Sequence, residues 1–132
     1  RIGIELKDGS VLSIYSHWDN FPEHNGRILR THYNTHEKVC NLIDGGDVSC
    51  LWTDKDWNGN SWTDCKYKAL TYKDRGEDCP PYLDESLEDY LSDGEEYAYL
   101  FTNGEWVCYD RHQFDDQKDP EVVPIPSGAL AV

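Results

Sequence analysis

Asn103-Gly104 stands between two runs of alternating character, Glu96 to Thr102 and Glu105 to Asp110. A two-residue Asn-Gly loop is the strongest short hairpin signal, because both residues tolerate the positive φ that a right-twisted antiparallel pair requires of its turn. These two runs are predicted to form a β-hairpin. A second hairpin opens the chain: Ile2, Ile4 and Leu6 alternate with small or polar neighbours, "KDGS" supplies an Asp-Gly turn, and Val11 to His17 runs back as a strand. Between the hairpins the apolar period lengthens. Pro22 suits the first turn of a helix, with Glu23 beside the positive end of its dipole. Ile28, Leu29, His32 and Tyr33 recur at helical spacing, and Asn34 ends the run. Thr35 reads as the N-cap of a second helix whose buried stripe is Val39, Leu42 and Ile43, closed by Gly45 and Gly46. Asp84 reads as the cap of a third helix, "ESLEDYLS", ended by Gly94. Lys66 to Lys73 alternates as a strand, while residues 47–64, rich in turn formers and tryptophan, read as a long loop or irregular hairpin. The predicted class is α+β, a single domain in which antiparallel β-hairpins form a small sheet packed with two or three short helices. That domain spans residues 1–114. Residues 115–132 combine charge, prolines and small residues and are expected as an extended or mobile C-terminal tail.

A chain of 132 residues is long enough to close one hydrophobic core without covalent staples. Its five cysteines, Cys40, Cys50, Cys65, Cys79 and Cys108, are odd in number, irregularly spaced and free of any CxxC pair, so they read as free thiols of a reducing cytoplasm. The longest apolar runs are a few residues, far short of the roughly 20 that a membrane-spanning helix needs. The net charge of −14 is distributed unevenly. Residues 1–43 balance five basic against five acidic side chains, whereas residues 44–132 set seven basic against twenty-one acidic. A field of that sign repels phosphate backbones and is drawn to basic surfaces. Direct nucleic-acid binding is therefore disfavoured. The acidic excess either serves solubility or docks on a basic groove of another protein, and Asp84, Glu85, Glu88, Asp89 and Asp93 are the candidate interaction surface.

The densest cluster of chemistry-bearing residues is "HWDNFPEH", where His17, Trp18, Asp19, Glu23 and His24 crowd a strand-to-helix junction and form the candidate binding residues. As a metal site the cluster lacks the regular short spacing of paired Cys or His, and the break at Asn34 and Thr35 takes His32 and His36 off one helical face. No nucleophile elbow, phosphate loop or triad ordering accompanies it, so no catalytic residue, metal or cofactor is assigned. The fold-defining reading gives each residue a local role. Trp18 becomes a buried anchor covering the hairpin–helix interface, the Asp19 carboxylate bonds backbone donors in the turn, Pro22 starts the helix, and Gly26 lets the helix pack closely. On this reading Trp18→Ala costs far more stability than His17→Ala or His24→Ala. The rival reading makes the loop a small-molecule, nucleotide or metal site, hydrolytic in one version.

The segments "SIYSHWDNFPEHNGRILRTHYN", "EKVCNLIDGGDVS", "YKDRGED", "EEYAYLF" and "NGEWVCYD" together resemble a group of small proteins encoded by tailed bacteriophages, including phages of cyanobacteria. The resemblance covers most of the chain, leaving out the tryptophan-rich loop and the "PIPSGAL" tail. Where the family pattern has Gly and Tyr this chain has Asn20 and Phe21, and Asn preserves access to a left-handed backbone. The family brings no catalytic residues to carry over. It implies a small accessory protein that acts in the host cytoplasm by binding a host protein with a basic surface, as a takeover or anti-defence inhibitor, with nucleic-acid mimicry as one form of that activity.

Overall fold

The computed structural model describes residues 1–63, 68–92, 94–115 and 117–128. It is an α+β single domain built on a six-stranded sheet in the order β5-β2-β1-β6-β7-β8, with a separate two-stranded ribbon of β3 and β4. The opening hairpin pairs β1 (Ile2–Glu5) with β2 (Val11–Ile14), and the Asn103-Gly104 turn joins β6 (Tyr97–Thr102) to β7 (Glu105–Asp110). Both turn residues take positive φ, 52° at Asn103 and 79° at Gly104, as the Asn-Gly signal requires. The two hairpins join through β1 and β6, which run parallel with Ile2 opposite Tyr99 and Ile4 opposite Phe101. The sheet is therefore mixed, and its central pair links strands nearly a hundred residues apart. No local pattern carries that pairing.

Both faces of the sheet's middle are covered, which explains why β6 is buried over four consecutive residues. Side chains alternate across a strand. Tyr99 and Phe101 point to the larger core with Ile2, Ile4, Ile14 and Cys108, where Ile28, Leu29, Val39, Leu42 and Ile43 arrive from α1 (Arg27–His32) and α2 (His36–Asp44). Ala98 and Leu100 point to the smaller core with Val11 and Tyr90, the latter from α3 (Leu87–Leu91). Gly3 makes room there: a Cβ on it would stand 2.8 Å from Val11 and 3.1 Å from the Tyr90 ring. The Tyr90 hydroxyl in turn donates to the Tyr99 carbonyl at 2.7 Å. Burial pushes the Cys108 thiol up to about 12, so it packs as an apolar group. Cys40, Cys50, Cys79 and Cys108 are all free; Cys65 lies outside the described residues.

Several local signals act as read. Thr35 caps α2 by accepting from the Lys38 amide at 3.2 Å, and the chain breaks between His32 and His36. The tryptophan-rich segment is an irregular hairpin: β3 (Val48–Thr53) pairs antiparallel with β4 (Lys68–Thr71) through two register shifts. Residues 66 and 67 of the expected strand lie outside the described residues. The third helix starts later than Asp84. Asp84 ends β5 (Tyr82–Asp84), which pairs with β2, and Ser86 caps α3 by accepting from the Asp89 amide at 3.1 Å. Pairing of Asp84 with Val11 commits it to extended backbone and leaves the cap to the next hydroxyl. The tail is extended where described: β8 (Glu121–Val123) adds an edge to β7, and Ile125 packs against the larger core.

Candidate functional site

After β2 the chain leaves the main sheet and runs briefly beside the ribbon. The amides of His17 and Trp18 donate to the carbonyls of Val48 and Ser49 at 3.1 and 3.0 Å, and the Tyr15 amide donates to the Asp47 carboxylate at 2.8 Å. The turn that follows is closed by Asn25, a side chain with no exposed surface. Its Nδ2 lies within donating distance of the Ser16 hydroxyl, the Trp18 carbonyl and the Asn20 carboxamide oxygen at 3.3, 3.0 and 2.8 Å. Its Oδ1 accepts from His24 Nδ1 at 2.9 Å, and its amide donates to the Asp19 carbonyl at 3.2 Å. Asn20 bonds back to the Ser16 carbonyl, and the Tyr99 hydroxyl donates to the Asn20 carbonyl, each at 2.5 Å. The helix then begins with a π-helical turn, Pro22–Gly26, before α1. Gly26 lets the tail and the sheet approach: a Cβ there would stand 3.1 Å from Ile125 and 3.3 Å from the Tyr99 ring.

This arrangement corrects the anchor assigned to Trp18. Trp18 is 57 % exposed and Phe21 is 44 % exposed, so neither ring is the buried element of the turn. A buried amide with several donors and acceptors holds the path, and the aromatic rings are displayed outward. The left-handed residue is Asp19, with φ of 60°, and not Asn20. Asp19 enters the turn through its carbonyl; its carboxylate faces solvent. Asn25 was missed because an Asn after a helical start reads as a neutral surface residue.

The five candidate residues do not converge. His17 meets the Tyr15 hydroxyl at 2.7 Å and the edge of the Trp18 ring, with 4.6 Å between ring centroids. His17 and Asp19 line a shallow depression of about 390 Å³ with Glu95, Glu96 and Tyr97. His24 is held by Asn25 and lies 5.9 Å from the Phe21 ring, outside that depression, and Glu23 is exposed on the π-helical turn. Among the described residues no three His, Cys, Asp or Glu side chains are grouped to hold a metal ion.

Of the acidic candidates, Asp84 and Asp89 line one depression beside β5. Asp84 is half-buried at the end of β5, while Glu85, Glu88 and Asp89 are exposed on the following turn and on α3; Asp93 lies outside the described residues. Glu88 and Asp89 occupy the first turn of α3, where carboxylates are favoured. Beside them β5 forms the edge of the main sheet and exposes Tyr82 and Leu83, at 61 % and 54 %. From Gly76 to Asp110 the sequence has eleven Asp and Glu and no Lys, Arg or His. Pairing with β2 places Tyr82 and Leu83 on this edge. Among the described residues no helix is long and apolar enough to cross a membrane. Comparison of the chain with protein-family models, curated proteins and solved structures found no match.

Proposed function

We propose that this protein is a non-catalytic binding module that docks through the β5–α3 edge onto a basic surface of another protein. The observation that carries the reading is an exposed aromatic side chain, Tyr82, on the outer strand of the sheet, on the face that carries α3 with the exposed Glu88 and Asp89. Protein interfaces combine an aromatic or aliphatic centre with a polar rim, and a rim of one sign steers association with an oppositely charged partner. The resemblance to small tailed-phage proteins supplies the setting: an accessory protein made in the host cytoplasm that binds a host protein and blocks its basic groove, competing with nucleic acid where the groove normally holds it.

Affinity capture from host lysate at low and moderate salt tests the proposal. The wild-type protein retains a partner that competes with nucleic acid. Tyr82→Ala abolishes retention, and Glu85→Gln with Glu88→Gln and Asp89→Asn weakens it while making it less dependent on salt. Thermal melts confirm that the variants stay folded. A partner held equally by all three proteins, or a wild-type protein that retains nothing, refutes the reading.

A further inference from the structure

A second site stands apart from the acidic edge. Between α1 and α2 on one side and the β3–β4 ribbon on the other lies an open cleft of about 510 Å³. That volume falls within the roughly 300 to 1,000 Å³ of small-molecule sites. Ile28, Leu42, Leu51 and Ala69 contribute buried apolar surface to it. Trp52 adds an aromatic wall and meets the ring of His32 edge-on, with 4.5 Å between centroids. Its lining is cationic in a chain whose net charge is −14. Lys38 from α2 and Lys68 from β4 both line the cleft, and among the described residues no Asp or Glu does. The depression at the β2–α1 junction is instead lined by Glu95 and Glu96, and the one beside β5 by Asp47, Asp84 and Asp89 with a single Arg1. In a chain with 26 acidic residues, an apolar cleft that among the described residues is lined by two lysines and no carboxylate selects for a particular chemistry. Lys38 Nζ stands 3.4 Å from the Asn34 side-chain oxygen, and Lys68 Nζ lies 4.2 Å above the Trp62 ring. Both contacts leave donors of a three-donor ammonium for an incoming anion.

We infer that this cleft binds a small molecule with a flat apolar body and a single anionic head, of which an aromatic carboxylate is the type. The body lies on Ile28, Leu42, Leu51 and Ala69 against Trp52, and the head meets Lys38 and Lys68. Such a ligand satisfies the apolar surface and the lysines together, whereas a neutral ring satisfies only the first and a bare inorganic anion only the second.

The test titrates naphthoate, and separately the uncharged naphthamide, into the full chain and follows amide and indole resonances by NMR. Naphthoate shifts the resonances of Leu42, Trp52 and Ala69 saturably and binds more tightly than naphthamide. Lys38→Gln and Lys68→Gln each weaken naphthoate by up to about fivefold, the range of one exposed ion pair, and leave naphthamide unchanged. Ala69→Leu, which fills the cleft, abolishes both; should that variant fail to fold, the two surface lysines carry the test alone. No shift at these residues with millimolar naphthoate, equal affinity for the two probes, or lysine variants that bind naphthoate unchanged would overturn the inference.

Discussion

The carboxamide of Asn25 does at the β2–α1 turn what no apolar side chain could do, since it meets polar groups of Ser16, Trp18, Asn20 and His24 from one fully buried position. Removing it takes a partner from the buried Ser16 hydroxyl and from partly buried groups of Trp18, Asn20 and His24. Asn25→Ala is expected to cost about 1–3 kcal/mol, the penalty for leaving buried donors and acceptors unpaired. Trp18→Ala removes a ring that is 57 % exposed and stays within about 0.5 kcal/mol of wild type, as for an ordinary surface substitution. Denaturant unfolding of both variants checks the ranking; a Trp18→Ala loss larger than that of Asn25→Ala would show that the ring, and not the amide, holds the turn. Residue-level reasoning from size alone ranks the two in the opposite order, because hydrophobic area is visible in a sequence and the convergence of polar groups is not.

At the scale of elements, the tail is part of the fold. Three residues of β8 pair with β7, Ile125 packs over Gly26, and the carbonyls of Ile125 and Ser127 accept from Arg30 and Arg27 at 2.7 and 3.2 Å. Short extended segments with few apolar residues pay nearly as much in ordering entropy as they gain, so the net effect is modest. Ending the chain after Phe114 is expected to lower stability by about 1–2 kcal/mol, below the roughly 1.5–3 kcal/mol of one fully buried large aliphatic side chain because Ile125 is only partly covered. The loss is read as a lower denaturant midpoint. An unchanged midpoint would mean that β8 and Ile125 rest on the body without stabilising it. Nothing in "DPEVVPIPSGAL" announces this role: the strand is too short for a period, and its two flanking prolines are equally at home in a free arm.

For the whole molecule the dominant physical fact is the net charge of −14. Self-repulsion of that size opposes compaction, and salt screens it. Added sodium chloride should therefore raise the melting temperature. The same addition should weaken binding to a basic partner, so stability and affinity move in opposite directions along one salt titration, measured by thermal melts and by partner retention. A melting temperature that falls or holds constant with salt would show that local ion pairs outweigh the net repulsion.

Both hairpins, the break between α1 and α2, the Thr35 cap and the α+β class were legible in the residues because each depends on contacts within a few positions: turn residues that accept positive φ, a hydroxyl facing the helix amides, an apolar stripe at one period. The acidic bias of residues 44–132 was legible too, since charge needs no folding to be counted. Tertiary structure alone decided the rest. The parallel union of β1 with β6, the two-faced burial of the sheet, the bond from the Tyr99 hydroxyl to the Asn20 carbonyl in the turn, and the cleft between the helices and the ribbon all join residues far apart in the chain. Such pairings are selected by which surfaces can be covered at once without leaving a polar group unpaired, a condition on the whole packed molecule that no window of sequence contains.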